Sequence, residues 1–82
     1  MTRLVAKGSI REQWLDYQKR VVPRDAGPVQ VRETYLAFYA GAVSLLVELD
    51  AIAELRDPAA EAARIAAINR ELNEFCDEAR AL

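Results

Sequence analysis

The sequence predicts an all-α protein of three helices, one short and two long, and three observations support this fold class. Apolar residues recur at alternating spacings of three and four in three separate segments. Proline stands beside the ends of these segments, at Pro23, Pro28 and Pro58. No segment shows the strict polar–apolar alternation that is typical of a strand. We expect a single helical domain over residues 9–82, preceded by an N-terminal arm over residues 1–8.

The first helix is predicted by its two ends and by one apolar stripe. Ser9 and Glu12 have the spacing of a capping box, in which the Ser9 hydroxyl accepts from the Glu12 amide and the Glu12 carboxylate reaches back to the Ser9 amide. Pro23 ends the helix because proline disfavours helical geometry at Val22 and has no amide donor. The apolar stripe between these ends consists of Ile10, Trp14, Tyr17 and Val21.

The second helix is predicted from Pro28 to Arg56, and its middle is apolar nearly all round. Its core stripe consists of Val31, Tyr35, Phe38, Ala42, Leu45, Leu49 and Ile52. Residues 35–47 carry no charge, but these 13 residues fall short of the roughly 20 that cross a bilayer, so we expect a buried core helix and no membrane partner. Two amphipathic neighbours would not cover such a helix, and we therefore expect a homo-oligomer.

A stripe of small residues on the second helix indicates where the copies would meet. Gly41 lowers helix propensity by about 1 kcal/mol relative to alanine, which a close helix contact would explain. A buried Glu48 would need a cation or a hydrogen-bond partner, which another subunit could supply. The predicted oligomer interface consists of Ala37, Phe38, Gly41, Ser44, Leu45 and Glu48.

The third helix begins with Asp57 as N-cap and Pro58 in the first turn. Because the connection is short, the two long helices should form an antiparallel hairpin, and such hairpins should assemble into a homo-oligomeric helical bundle. The apolar stripe of the third helix consists of Ile65, Ile68, Leu72, Phe75, Ala79 and Leu82.

Composition argues against an enzyme. Histidine is absent, which removes histidine-based triads and histidine-ligated zinc sites. Cys76 is the single cysteine, so no intramolecular disulfide forms and a reducing, cytoplasmic setting is expected. The carboxylates match no metal loop, and no secretory signal is visible. We expect no catalytic residue, no metal and no cofactor. A net charge of −2 and the lack of a basic reading helix make nucleic acid an unlikely partner.

Charge and aromatic residues are unevenly distributed, and this pattern predicts an anion site. Residues 1–32 carry seven cations and three anions, whereas residues 33–82 carry four cations and ten anions. Five of the six aromatic residues fall within residues 14–39. Aromatic faces stack on bases, and guanidinium groups bind phosphates. The predicted ligand-binding residues are Trp14, Tyr17, Arg20, Arg24, Gln30, Arg32, Glu33, Tyr35 and Tyr39. The alternative is that these aromatics are plain core and that the charged ends attract each other.

The segment 14–42 resembles a group of small phage and prophage proteins of uncharacterised role. The resemblance covers about a third of the chain, and it lies in Trp14, Tyr17, Val22–Pro23, Asp25–Ala26, Val29–Gln30, Glu33 and Ala37–Ala42. It implies a viral accessory protein made in the bacterial cytoplasm. By analogy of role alone, some small helical phage homo-oligomers sequester nucleotide immune signals of bacterial defence systems.

These observations predict a non-enzymatic binding protein, a homo-oligomer that sequesters a small anionic, nucleotide-derived ligand. Two alternatives stay open. The acidic C-terminal half could inhibit a host defence protein by direct contact. The chain could also be a structural or assembly accessory of a phage particle.

Overall fold

The computed structural model describes residues 7–81, and within this range the chain forms three α-helices and no strand. They are α1 (Ile10–Val21), α2 (Pro28–Ala53) and α3 (Pro58–Ala81). The predicted all-α class with one short and two long helices is confirmed. Most of the predicted N-terminal arm lies outside the described residues. The chain divides into two compact units, an N-terminal unit (described residues 7–46) and a C-terminal unit (described residues 47–81).

In the N-terminal unit, the Ser9 cap fixes the start of α1 and Pro23 fixes its end. The Ser9 hydroxyl accepts from the Glu12 amide at 3.1 Å, so this half of the capping box is formed, whereas the Glu12 carboxylate makes no return bond. At the other end Val22 is extended, with φ −79° and ψ 125°, as the following Pro23 requires. Its amide still donates to the Gln18 carbonyl at 3.2 Å, which completes the last turn.

A tight turn connects α1 to α2. The Ala26 amide donates to the Pro23 carbonyl at 3.1 Å, which closes a β-turn with Arg24 at its first corner. The Gly27 carbonyl then accepts from the Val31 amide at 3.0 Å. Pro28 therefore occupies the first turn of α2, where its missing amide leaves no bond unmade.

An aromatic cluster forms the core of the N-terminal unit. Trp14 is 4% exposed. Its ring centroid lies 6.2 Å from Tyr17, 5.2 Å from Tyr35 and 5.6 Å from Phe38. Tyr39 extends the cluster through a 4.9 Å contact with Tyr35. Trp14 and Tyr17, the middle of the predicted α1 stripe, therefore pack against Tyr35 and Phe38 of the predicted α2 stripe.

In the C-terminal unit, α2 ends at Ala53, three residues before the predicted end at Arg56. The Leu55 amide donates to the Ile52 carbonyl at 3.1 Å, a tightened final turn, and Arg56 takes the left-handed φ of 52°. Asp57 caps α3 as predicted, because its carboxylate accepts from the Ala59 amide at 3.1 Å. No glycine marks the end of α2 in the sequence, so the apolar periodicity did not predict where this helix ends.

The later parts of the predicted core stripes are exposed, which corrects the expectation of a fully buried second helix. On α2, Leu45 and Leu49 are 39% and 42% exposed, although Ile52 is 3% exposed. No described residue of α3 is buried, and Phe75 is 55% exposed. A stripe becomes core only where another element covers it. Leu82 lies outside the described residues.

Candidate anion-binding groove

The N-terminal unit carries an open groove where α1, the connecting turn and the start of α2 meet. It consists of two adjoining hollows of about 340 and 580 Å³ that share Gln18, Ala26 and Val31. This size falls within the range of small-molecule sites. We call it the basic groove; its remaining lining residues are Trp14, Leu15, Lys19, Val22, Pro23, Arg24, Pro28, Arg32 and Tyr35.

Three cations and no carboxylate line the basic groove. They are Lys19, Arg24 and Arg32, all exposed. Within residues 7–81, none of the three side chains forms an ion pair or a hydrogen bond. Three unpaired positive charges around one concavity raise the local concentration of small anions.

Each cation comes from a different local structure. Lys19 lies in the last turn of α1, Arg24 at the corner of the β-turn, and Arg32 near the start of α2. The first turn of α2 contains no acidic residue, and its Val29 and Gln30 amides have no acceptor within the helix. The positive end of the α2 dipole and the negative end of the α1 dipole both lie at the groove, so its positive charge comes from the three side chains.

Arg20 is engaged elsewhere. Its guanidinium lies 2.7 Å from the Asp16 carboxylate, one helical turn earlier on α1. The predicted role of Arg20 in ligand binding would require breaking this pair. Sequence reasoning placed Arg20 in the predicted site and left out Lys19 and Gln18. The spacing of Gln18, four residues after Trp14 and therefore on the same helix face, is the signal that could have found it.

The predicted aromatic site residues occupy three different positions. Trp14 lines the groove but is only 4% exposed, so little of its ring is open to a stacking ligand. Tyr35 lines the groove and is half-buried. Tyr39 contacts the Tyr35 ring but lines neither hollow of the groove, and Tyr17 lines a separate hollow. Tyr35 is the aromatic residue best placed for a stacking contact.

Gln30 and Glu33 are exposed in the first two turns of α2 and line neither hollow of the basic groove. The structure therefore does not bring these two predicted residues together with Arg24 and Arg32. Because Glu33 lines neither hollow, every charged residue that lines the groove is a cation.

The predicted interface residues are mostly open. A third hollow, apolar and of about 320 Å³, is lined by Phe38, Gly41 and Leu45 of this set. A Cβ added at Gly41 would meet nothing within 4 Å, so packing within the chain does not require glycine. Ala37 and Ser44 are exposed, and the Ser44 hydroxyl donates to the Ala40 carbonyl at 2.9 Å.

Glu48 has its partner within its own unit. Its carboxylate lies 3.2 Å from the Arg64 guanidinium of α3, and its side chain is 54% exposed. Glu48 therefore does not need the partner from another subunit that a buried carboxylate would have required.

The described residues show no constellation for metal chemistry. No group of three or more His, Cys, Asp or Glu side chains converges anywhere in residues 7–81. Cys76 is free and half-buried. The charged side chains that line the basic groove are Lys19, Arg24 and Arg32.

α2 is also long and apolar enough to span a membrane by length and composition. It has 26 residues and an 18-residue window of mean hydropathy 1.7, of which 6% is buried. The sequence-based prediction counted only the uncharged residues 35–47, which are too few to cross a bilayer. The 18-residue window is longer because it allows up to two charged residues. Core helices of soluble proteins satisfy the same criterion, so it carries little weight by itself.

Comparisons with known proteins identified no relative of the chain. No protein-family model, no curated protein and no solved structure matches the chain. The class that fold and site define is a small three-helix protein with an open, positively charged groove.

Proposed function

We propose that the chain is a non-enzymatic binding protein that, as a homo-oligomer, sequesters a small anionic, nucleotide-derived ligand in the basic groove. One observation carries this proposal: Lys19 and Arg24 line one hollow and Arg32 lines the adjoining one, no carboxylate lines either, and none of the three cations has an ion-pair partner within residues 7–81. Three cations left without partners in one place favour a ligand that brings several negative charges.

The composition of the groove favours a nucleotide over a simple anion. Its larger hollow is mostly apolar and holds Tyr35 beside Arg32, which suits a base next to a phosphate. Its smaller hollow holds Lys19 and Arg24 on the turn, which suits phosphate. A ligand with both a flat ring and a phosphate group would use both hollows.

The oligomeric part of the proposal is supported by exposed apolar surface. Leu36, Val43, Leu46 and Val47 of α2 are each 52–58% exposed. We infer that α2 and α3, which only four residues separate, form an antiparallel hairpin and that copies of it build a helical bundle. Following the resemblance to small phage proteins, we propose that this homo-oligomer acts against bacterial defence in the host cytoplasm.

The test is titration calorimetry with cyclic dinucleotides and cyclic ADP-ribose species. We expect saturable binding that Arg24→Gln and Arg32→Gln each weaken by about tenfold or more, since a hydrogen bond to a charged group contributes about 1.5–3 kcal/mol. The control is Arg11→Gln, an exposed cation of α1 that does not line the groove. Absence of heat with every anion, or an equal loss with the control, would refute the proposal.

A second candidate is inhibition of a host protein through the acidic face of α3. Glu71, Glu74 and Glu78 are exposed and have no ion pair among the described residues. Such a face complements a basic partner. Capture from host lysate tests it: a stoichiometric protein lost in a Glu74→Lys variant favours this function, whereas a co-purifying nucleotide favours the first.

A further inference from the structure

One face of α2 carries six residues at successive spacings of four, three, four, three and four, which is the spacing of a coiled-coil seam. Leu36, Val43 and Leu46 of this face are 52%, 56% and 57% exposed. It lies on the side of α2 opposite Gly41, the centre of the predicted interface. We call it the outer stripe; it consists of Arg32, Leu36, Tyr39, Val43, Leu46 and Asp50.

The outer stripe is symmetric about the helix position of Gly41. Arg32 and Asp50 each lie nine residues from that position, Leu36 and Leu46 five, and Tyr39 and Val43 two. When two copies of α2 lie antiparallel about a twofold axis at this position, Arg32 of one copy lies opposite Asp50 of the other. Leu36 then lies opposite Leu46, and Tyr39 opposite Val43. The apolar pairs then meet in the middle, and opposite charges meet at both ends.

We propose that the outer stripe binds the outer stripe of a second copy, antiparallel, with an Arg32–Asp50 ion pair at each end. The proposal rests on the homo-oligomeric part of the proposed function and specifies its surface. Within the described chain neither Arg32 nor Asp50 has an ion-pair partner. The Arg32 guanidinium has five N–H donors, so some of them stay free for the basic groove. The pair neutralises the charge of Arg32, and Lys19 and Arg24 are then the groove cations that remain unpaired.

Exposed apolar side chains support a second copy as the occupant. Leu36, Val43 and Leu46 are each more than half exposed, and an apolar helix face is stable in water only when another element covers it. The middle of the stripe is uncharged, so it meets itself without like-charge repulsion.

A bilayer fits this face less well. α2 is long and apolar enough to cross a bilayer by length and composition. Arg32 and Asp50 would then lie near opposite edges of the hydrocarbon core, where neither has a protein partner of opposite charge. A second copy pairs them.

Sedimentation equilibrium of the full chain, without ligand, tests the surface. We expect a dimer or a multiple of it, and Leu46→Asp should weaken association by about 100-fold or more, since the change buries two unpaired charges at once. The matched control is Ala37→Asp, an exposed position on the Gly41 side of the same helix, expected to change association by less than about threefold. Helicity by circular dichroism should stay equal in both variants.

Charge reversal tests the register. Arg32→Asp and Asp50→Arg should each weaken association by about tenfold, because each sets like charges together at both ends, and the double variant should restore it to within about threefold. A double variant no better than either single one overturns the proposed pairing.

The remaining outcomes separate this inference from the proposed function. Association lost in Ala37→Asp but kept in Leu46→Asp overturns the outer stripe and leaves a homo-oligomer. A monomeric wild type at high micromolar concentration overturns both. Co-sedimentation of the wild type, and not of Leu46→Asp, with phosphatidylcholine–phosphatidylglycerol vesicles shows that lipid covers the face and overturns the inference alone.

Discussion

Replacing Trp14 by alanine should remove much of the stability of the protein. A tryptophan buries about 150–250 Å², and at about 25 cal/mol per Å² this corresponds to roughly 4–6 kcal/mol. Trp14 is 4% exposed, so nearly all of that area is lost to the substitution. Because neighbouring rings relax into part of the space, we expect a loss of about 3–5 kcal/mol, as in other large aromatic truncations.

That loss is large for a chain of 82 residues. At about 0.05–0.15 kcal/mol per residue, the whole free energy of unfolding is on the order of 4–12 kcal/mol. Urea denaturation followed by far-UV circular dichroism, at one fixed protein concentration, measures the change without using tryptophan fluorescence. The milder Trp14→Phe variant keeps an aromatic ring and should lose less than half as much.

Phe75→Ala is the matched control. Phe75 is an aromatic residue of α3 and is 55% exposed, so its truncation should cost no more than about 1.5 kcal/mol. Equal losses for Trp14→Ala and Phe75→Ala would refute the conclusion that the aromatic cluster is the core of the N-terminal unit.

Three further substitutions test local features. Ser9→Ala removes the acceptor of the Glu12 amide and should lower the free energy of unfolding by about 1 kcal/mol, whereas Ser9→Asp should preserve it. Arg56→Gly relieves the left-handed φ of 52° and should raise the free energy of unfolding by about 0.5–1 kcal/mol; a loss would show that the Arg56 side chain has a role of its own. Gly41→Ala meets no atom within 4 Å and should raise the melting temperature by a few degrees without changing oligomer size, and dissociation would locate the interface at Gly41.

Local sequence determined the helices because their boundary signals act over a few residues. The Ser9 cap, Pro23 after α1, Pro28 in α2 and the Asp57 cap each fix a backbone conformation or satisfy an amide within one turn. The pair between Asp16 and Arg20 is also local, since residues four apart on a helix are neighbours. The end of α2 was not predicted correctly because Arg56 takes a left-handed backbone conformation, and the spacing of apolar residues does not indicate where such a conformation occurs.

Tertiary structure alone decided which apolar and charged residues are covered. Trp14 and Leu45 belong to equally regular stripes, yet one is buried and the other exposed, because burial depends on which helix passes over each position. In the same way, Lys19 and Arg24 become groove residues only once the turn brings the end of α1 beside α2. Periodicity states which face of a helix is apolar; only packing determines what that face contacts.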